Sequence, residues 1–243
     1  MNQIKLASIF LFIIIWQATS VILASDVFPS VVDILVNLFT HIYDGELLED
    51  LKITLIRVFI AFFIAMFFGI LFGILMGISK KIDEFFNFLL VLGLNIPALV
   101  TIVISYIWFG LTDFAALLAV IINKVPIIIV NVREGTKAVE RKYLDLAKVY
   151  KISNKETFFK VFLPQIYPYI MASTRLSLSL IWKIVLVVEL LGRSDGIGFK
   201  ISMFFQFFDI TSILAYSLGF IIVILLIENF ILKPFEKKME VWK

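Results

Sequence analysis

Apolar residues run along this chain in six long stretches, at about Leu6–Ala24, Ile53–Ile78, Phe85–Leu111, Phe114–Val132, Tyr167–Leu191 and Thr211–Leu232. Each comes close to or exceeds the roughly 20 residues a helix needs to cross a hydrocarbon core, so the pattern predicts six transmembrane helices. The first stretch follows Lys5 as a secretory leader would. Its apolar run is too long for a leader, and Ile22-Leu23-Ala24 is a weak cleavage site, so a retained helix is expected. A polar segment, Asn131 to Gln165, separates the fourth stretch from the fifth. It carries Arg133, Lys137, Arg141, Lys142, Lys148, Lys151, Lys155 and Lys160 against Glu134, Glu140, Asp145 and Glu156. Its apolar positions, including Leu144, Ala147 and Val149, recur at helical spacing, which predicts a structured protrusion.

Charge gives the six stretches an orientation. Ser25–Asp50 carries Asp26, Asp33, Asp44, Glu46, Glu49 and Asp50 and neither Lys nor Arg. Ser79–Glu84 carries Lys80 and Lys81, the polar segment is basic, and the tail carries Lys233, Lys237, Lys238 and Lys243. Lys and Arg collect on the cytoplasmic side of a membrane. The expected topology therefore has both termini and the polar segment inside, with Ser25–Asp50, the turn at Thr112-Asp113 and Gly192–Asp209 outside. The predicted fold is an all-α integral membrane protein forming one domain over residues 1–243. It comprises an N-terminal helix 6–24, an outer loop 25–50, core helices across 53–191 enclosing the polar loop 133–165, and a last helix 211–232.

Composition agrees and narrows the chemistry. The chain is 61% apolar with a mean hydropathy of +1.04, and only 17% is charged, whereas soluble domains run near a quarter charged. A net charge of +3 concentrated in loops is explained by topology, which argues against nucleic acid as a partner. There is no cysteine, so thiolate metal sites, disulfides and cysteine nucleophiles are ruled out. The single histidine, His41, lies near Asp44 and Glu46 in a polar region and reads as solvated, so no metal site is expected. No Ser/His/Asp constellation suggests catalysis. No Gly-rich loop ending in Lys-Ser/Thr is present to cradle a nucleotide phosphate.

Within the spans, Gly69, Gly73 and Gly77 fall on one helical face and predict close helix packing. Asn95-Ile96-Pro97 is expected to break the third span and Pro126 the fourth, because proline removes an intrahelical hydrogen bond. Such breaks occur both beside translocation paths and as ordinary kinks. Ionisable groups inside a bilayer are costly unless paired or hydrated. Lys124 lies in the fourth span, and Arg175, Lys183 and Glu189 lie in the fifth with Trp182 beside Lys183. Arg175, Trp182 and Glu189 share nearly one face. Boundary anchoring explains Arg175 and Glu189 most simply, whereas Lys183 has no route to water and is expected to face protein or an aqueous cavity.

One ordered set of motifs now stands out. Tyr143-Leu-Asp-Leu-Ala-Lys-Val-Tyr-Lys-Ile-Ser153 with Leu163-Pro164 resembles the cytoplasmic "EAA" loop of binding-protein-dependent ABC transporter permeases. Phe28-Pro29-Ser30, Thr54-Leu-Ile-Arg57, the Gly69–Gly77 stripe, Asn95-Ile-Pro97 with Trp108-Phe-Gly110, and Glu189-Leu-Leu-Gly192 with Gly196-Ile-Gly198 recur in similar order there. Together they cover nearly the whole chain and resemble the nitrate/sulfonate/taurine branch. Asp145 stands for the family's glutamate, Leu146 for its first alanine, Ala147 for its second, and Lys151 for its usual glycine.

The resemblance implies a type I ABC importer permease in the bacterial inner membrane. Two copies, or this chain and a partner permease, would form the pathway for a small anion such as nitrate, a sulfonate or taurine. Two cytoplasmic ATPase subunits would bind ATP and Mg, no cofactor being expected in this chain, and an extracytoplasmic binding protein would deliver substrate. A docking helix around Glu140–Ile152 would seat in the ATPase, using Glu140, Leu144, Asp145, Leu146, Ala147 and Lys151, with Leu163 and Pro164 fixing re-entry to the membrane. Asn95, Pro97, Lys124, Arg175, Trp182, Lys183 and Glu189 are candidates for the translocation path. Two rival readings stand beside this one. A membrane-embedded scaffold or enzyme would use the basic loop to bind lipid headgroups. An ion-coupled secondary carrier would be expected to show inverted repeats, and none is visible in the sequence.

Overall fold

The apolar runs fold as helices whose ends are set by capping residues rather than by the edges of the hydrophobic stretches. A computed structural model describes residues 3–234, so Lys237, Lys238 and Lys243 of the basic tail lie outside the described residues. No strand occurs among the described residues. Helix α1 spans Gln3–Leu23. The next helix, α2 (Val31–Tyr43), departs from expectation, because Ser25–Asp50 reads as an outer loop. It forms because Ser30 and Asp33 make a reciprocal capping box and Ile34 and Leu38 supply a buried stripe. Its 13 residues are too few to cross a membrane. Gly45, at φ +82°, then permits the turn into α3 (Glu46–Ile78), which starts seven residues before the apolar run at Ile53. Glu46 and Glu49 in its first turn suit the positive end of the helix.

The third predicted span is two helices, α4 (Lys80–Asn95) and α5 (Ala98–Phe109), bent by 98° at Ile96-Pro97. Ser79 caps α4, so the polar stretch Ser79–Glu84 is its first turn and not a loop. Helix α6 (Asp113–Lys137), capped by Thr112, runs unbroken through Pro126, contrary to the expected break. Pro126 is buried, and a Cβ on Gly93 of α4 would stand 2.9 Å from its ring, so the missing side chain at Gly93 makes room for it. After α6 come α7 (Arg141–Val149), the single turn α8 (Asn154–Thr157), α9 (Leu163–Gly192), α10 (Ile197–Gln206) and α11 (Ile210–Ile227). The segment Gly192–Asp209, expected as an outer loop, is thus largely helical.

Five-residue π turns occur at Phe158–Phe162 and Glu228–Leu232, and each precedes a proline by two residues, Pro164 and Pro234. In both, the residue before the proline donates its N–H five residues back, Leu163 to Phe158 and Lys233 to Glu228. Proline lacks an N–H and its ring clashes with the carbonyl four residues earlier, so widening the helix by one residue keeps it continuous.

Among the described residues, four helices are long and apolar enough to cross a membrane: Leu6–Leu23 within α1, then α3, α6, and Ile210–Phe230 in and beyond α11. The bent α4/α5 pair makes a fifth span if counted as one. Helix α9 occupies the fifth predicted stretch but carries Arg175, Lys183 and Glu189, and it is not among those four.

The chain divides into two compact units. One comprises the chain up to Thr54 together with Glu189 onward, and in it α2 and α10 both pack on α11. Gly219 of α11 lies against Leu38 and Leu47, and the Trp16 indole stacks on Phe28 while donating to the Pro29 carbonyl at 3.1 Å. The other unit, Leu55–Val188, is built on the glycine stripe of α3. Gly69, Gly73 and Gly77 lie directly on Ile128, Val132 and Thr136 of α6, and a Cβ at Gly73 would come within 2.7 Å of the Val132 Cβ. Met76, Leu90 and Ile129 continue that core.

Candidate functional site

The polar segment begins inside α6 and is pinned to α4 by ion pairs. Arg133 donates to Asp83 and Asn87 at 3.0 Å each, and Lys137 meets the other Asp83 oxygen at 2.7 Å. Helix α7 follows as a separate element. Its N-cap, Glu140, offers no side-chain cap; Gln165 at the start of α9 accepts the Glu140 N–H at 3.0 Å instead. Gln165 also donates to the Val161 carbonyl at 3.0 Å, so one side chain ties the beginning of α7 to the re-entry turn. The Glu140 carboxylate pairs with Lys142, and it holds that ammonium above its ordinary range.

The far end of α7 closes in a Schellman motif. Ile152 donates to the Ala147 carbonyl at 2.9 Å and Lys151 to that of Lys148 at 2.9 Å. Lys151 occupies the left-handed position at φ +52°. The lysine thus keeps the turn that a glycine would make without strain.

The faces of α7 are unequal. Ala147 is 3% exposed and the helix packs on the Phe158–Phe162 turn, so this side chain lies against its own chain. The expectation that Ala147 makes close contact with a partner is corrected to that extent. Leu144 is half-buried. Tyr143, Leu146, Val149 and Tyr150 are exposed apolar or aromatic groups on a helix otherwise flanked by charge. Asp145 is exposed and pairs with Lys148 at 3.1 Å. Downstream, Ser153 caps α8, and the Lys160 ammonium at 2.9 Å holds the Glu156 carboxyl below its ordinary range. Leu163 and Pro164 form the first turn of α9, half-buried and exposed respectively.

The candidates inside the spans separate into distinct environments. Asn95 and Pro97 are exposed at the bend, Asn95 donating to the Val91 carbonyl at 2.7 Å. Lys124 is 6% exposed within α6. On α9, Trp182 is buried while Lys183 and Arg175 are exposed, so the shared face read for Arg175, Trp182 and Glu189 is buried only toward its C-terminal end. Glu189 is wholly buried in a hydrogen-bonded clamp. Its Oε2 accepts from the Thr54 hydroxyl and from the Gly198 N–H, both at 2.9 Å. Thr54 in turn accepts the Ile197 N–H at 2.9 Å, and Asp50 accepts the Gly196 N–H at 3.1 Å. Beside it opens a cavity of about 340 Å³ lined by Glu46, Glu49, Asp50, Asp195 and Lys200, among others.

Thr54, Arg57 and Gly196-Ile-Gly198 stand out in the sequence only as motifs, and their work emerges from the structure. The signal was Asp50, Thr54 and Arg57 at helical spacing on one face. Arg57, 5% exposed, pairs with Asp113 at 2.8 Å and fixes α3 to the start of α6. His41 is not simply solvated: it lies 3.5 Å from the Ser212 hydroxyl and packs on Phe204 and Tyr216. Asp209 bonds Ser212 at 2.6 Å as the cap of α11. The carboxylate thus serves the serine and not the histidine, which is the geometry of a helix cap and not of a catalytic triad.

Residues 65–232 match the family described as binding-protein-dependent transport system inner membrane component. SsuC of Bacillus subtilis, a permease protein assigned to aliphatic sulfonates transport, is 28% identical over 95% of this chain and 84% of its own length. The nitrate import permease protein NrtB of Synechococcus elongatus is 26% identical over 79% of this chain and 72% of its own. A solved chain from a crystal structure of an amino acid ABC transporter with histidines superposes with a TM-score of 0.64. It is 21% identical and covers 83% of this chain and 97% of that one, a likeness of fold.

Proposed function

This chain belongs to the family of binding-protein-dependent transport system inner membrane components, and on that premise we propose that it forms the substrate pathway of an ABC importer. It is an inner-membrane permease of the nitrate and sulfonate branch. The substrate is a small anion of the nitrate, sulfonate or taurine kind. A second copy completes the pathway, an extracytoplasmic binding protein delivers the substrate, and the surrounding lipid is that of a bacterial inner membrane. Two cytoplasmic ATPase subunits hold ATP and Mg, and this chain holds neither.

The observation that carries this reading is the build of α7. A nine-residue helix is closed at one end by a Schellman motif and tied at the other to Gln165, yet it presents Tyr143, Leu146, Val149 and Tyr150 to solvent. Exposed apolar groups on a rigid polar loop mark a contact surface. In the mechanism, closure of the ATPase dimer on ATP pushes α7, and Gln165 with the π turn passes the push to α9. The bundle then rocks between inward-open and outward-open states. The bend at Asn95-Ile96-Pro97 and the cations Lys124, Arg175 and Lys183, with Trp182, lie along the path. Glu189, held in its own clamp, is the remaining candidate. Both termini and α7 face the cytoplasm, with α4/α5 and α9 completing six spans.

Purification in mild detergent tests the assignment. The chain is expected to retain ATPase subunits in stoichiometric amount, and transport is expected to require ATP hydrolysis. A chain that purifies alone and transports without ATP would overturn it.

A further inference from the structure

Lys124 lies near the middle of α6, about 16 Å along the axis from Asp113 and about 20 Å from Lys137. The residue is 6% exposed, and from mid-helix its side chain is too short to bring the ammonium to either end of α6. Among the described residues it forms no hydrogen bond or ion pair. Every acid of the Leu55–Val188 unit is already matched elsewhere. Asp113 pairs with Arg57, and Asp83 with Arg133 and Lys137. Glu84, Glu134, Glu140, Asp145 and Glu156 pair with basic residues of the polar segments. The protein therefore places a cation at membrane depth and supplies it no counter-charge within that unit. A buried, uncompensated charge destabilises a fold, and within a membrane such a group marks a site of function.

Taking the chain as an importer pathway, we propose that Lys124 is the charge-selecting residue of that pathway, its ammonium donating to the oxyanion of the passing nitrate or sulfonate. The substrate supplies the partner that the fold withholds. An ammonium suits transient contact: its three donors rotate freely on a flexible stem and impose no fixed fork on the ligand. Sulfonate and nitrate each present three oxygens, which accept equally from any direction the ammonium offers.

The test is thermal unfolding of the purified chain in detergent, titrated with sodium nitrate or sodium ethanesulfonate and, as control, with choline chloride at matched ionic strength. Bound ligand raises the midpoint as its occupancy rises. The wild type is expected to gain stability from nitrate or ethanesulfonate beyond the choline control. Lys124→Met is expected to unfold at a higher temperature without anion, because the unpaired charge is gone. Its apparent anion affinity is expected to fall about tenfold or more, the worth of a charge-assisted hydrogen bond, and Lys124→Arg is expected to keep part of it. An equal anion response in wild type and Lys124→Met, or none in the wild type, overturns the proposal. Neither result touches the importer reading, which rests on retention of the ATPase.

Discussion

Glu189 and Gly198 are joined by a hydrogen bond of 2.9 Å, the Gly198 N–H donating to a carboxylate that is wholly buried. The same carboxylate takes the Thr54 hydroxyl, and Gly196 packs so closely that a Cβ there would stand 2.6 Å from Oε1. Gly196 also sits at φ +92° and ψ 170°, a region that only glycine occupies without cost. The clamp therefore demands glycine for two separate reasons, strain and space.

Gly196→Ala is accordingly expected to destabilise the protein by about 3 kcal/mol or more. Gly45→Ala offers the contrast: Gly45 has positive φ, but a methyl group there would meet nothing within 4 Å, so only backbone strain of about 1 kcal/mol applies. Unfolding midpoints in one detergent measure both. Equal losses would show that crowding against Glu189 adds nothing to the cost at Gly196.

At the end of α7, Lys151 holds the left-handed position that a glycine would hold freely. Lys151→Gly is expected to stabilise this turn by up to about 1 kcal/mol, less the entropy glycine adds to the unfolded chain. Lys151→Val, β-branched, is expected to destabilise it. Amide exchange at Lys151 and Ile152, whose N–H groups close the motif, reads the effect directly. Faster exchange in Lys151→Gly than in wild type would contradict the assignment of strain.

Much of the fold is legible in the sequence, and the omissions have physical causes. Long apolar runs identify α1, α3, α6 and α11 because lipid tolerates no other pattern. Helix α2 is hidden because Asp33, Asn37 and His41 break up its apolar residues, and only the Ser30/Asp33 box marks its start. The polar opening of α4 conceals a capped first turn in the same way. Pro126 suggests a break because the sequence does not reveal that Gly93 leaves room for its ring. In the candidate site, helical spacing and the family motif locate α7. The inward aim of Ala147 and the clamp of Gly196–Gly198 on Glu189 depend on contacts distant in sequence, which spacing alone does not encode.

The glycine stripe predicts a graded series. Gly73→Ala is expected to cost about 1–3 kcal/mol, since its methyl group would meet Val132 of α6. Adding Val132→Ala is expected to recover part of that loss, because the two positions touch and their effects should not add. Full additivity in a double-mutant cycle of unfolding midpoints would place the contact elsewhere.

Topology is testable because the chain has no cysteine of its own. Single cysteines at Asp44, which ends α2, and at Asn154, which begins α8, are expected to label from opposite sides of the membrane. An impermeant maleimide added outside should modify the first and spare the second. Labelling of both from outside would exclude the arrangement with α7 in the cytoplasm.

The central claim, that α7 couples this chain to a separate ATPase, is tested most directly by the ATPase retained on purification. Leu146→Asp and Asp145→Arg alter exposed positions of α7 and should leave membrane insertion intact. Each is expected to cost about 2 kcal/mol or more at the contact, so the subunit should reach the membrane at wild-type level and lose most of its ATPase. Lys137→Ala removes only partly exposed ion pairs, to Asp83 and Glu134, and is expected to retain it. Wild-type retention by both α7 variants, or loss with Lys137→Ala alone, would contradict the account.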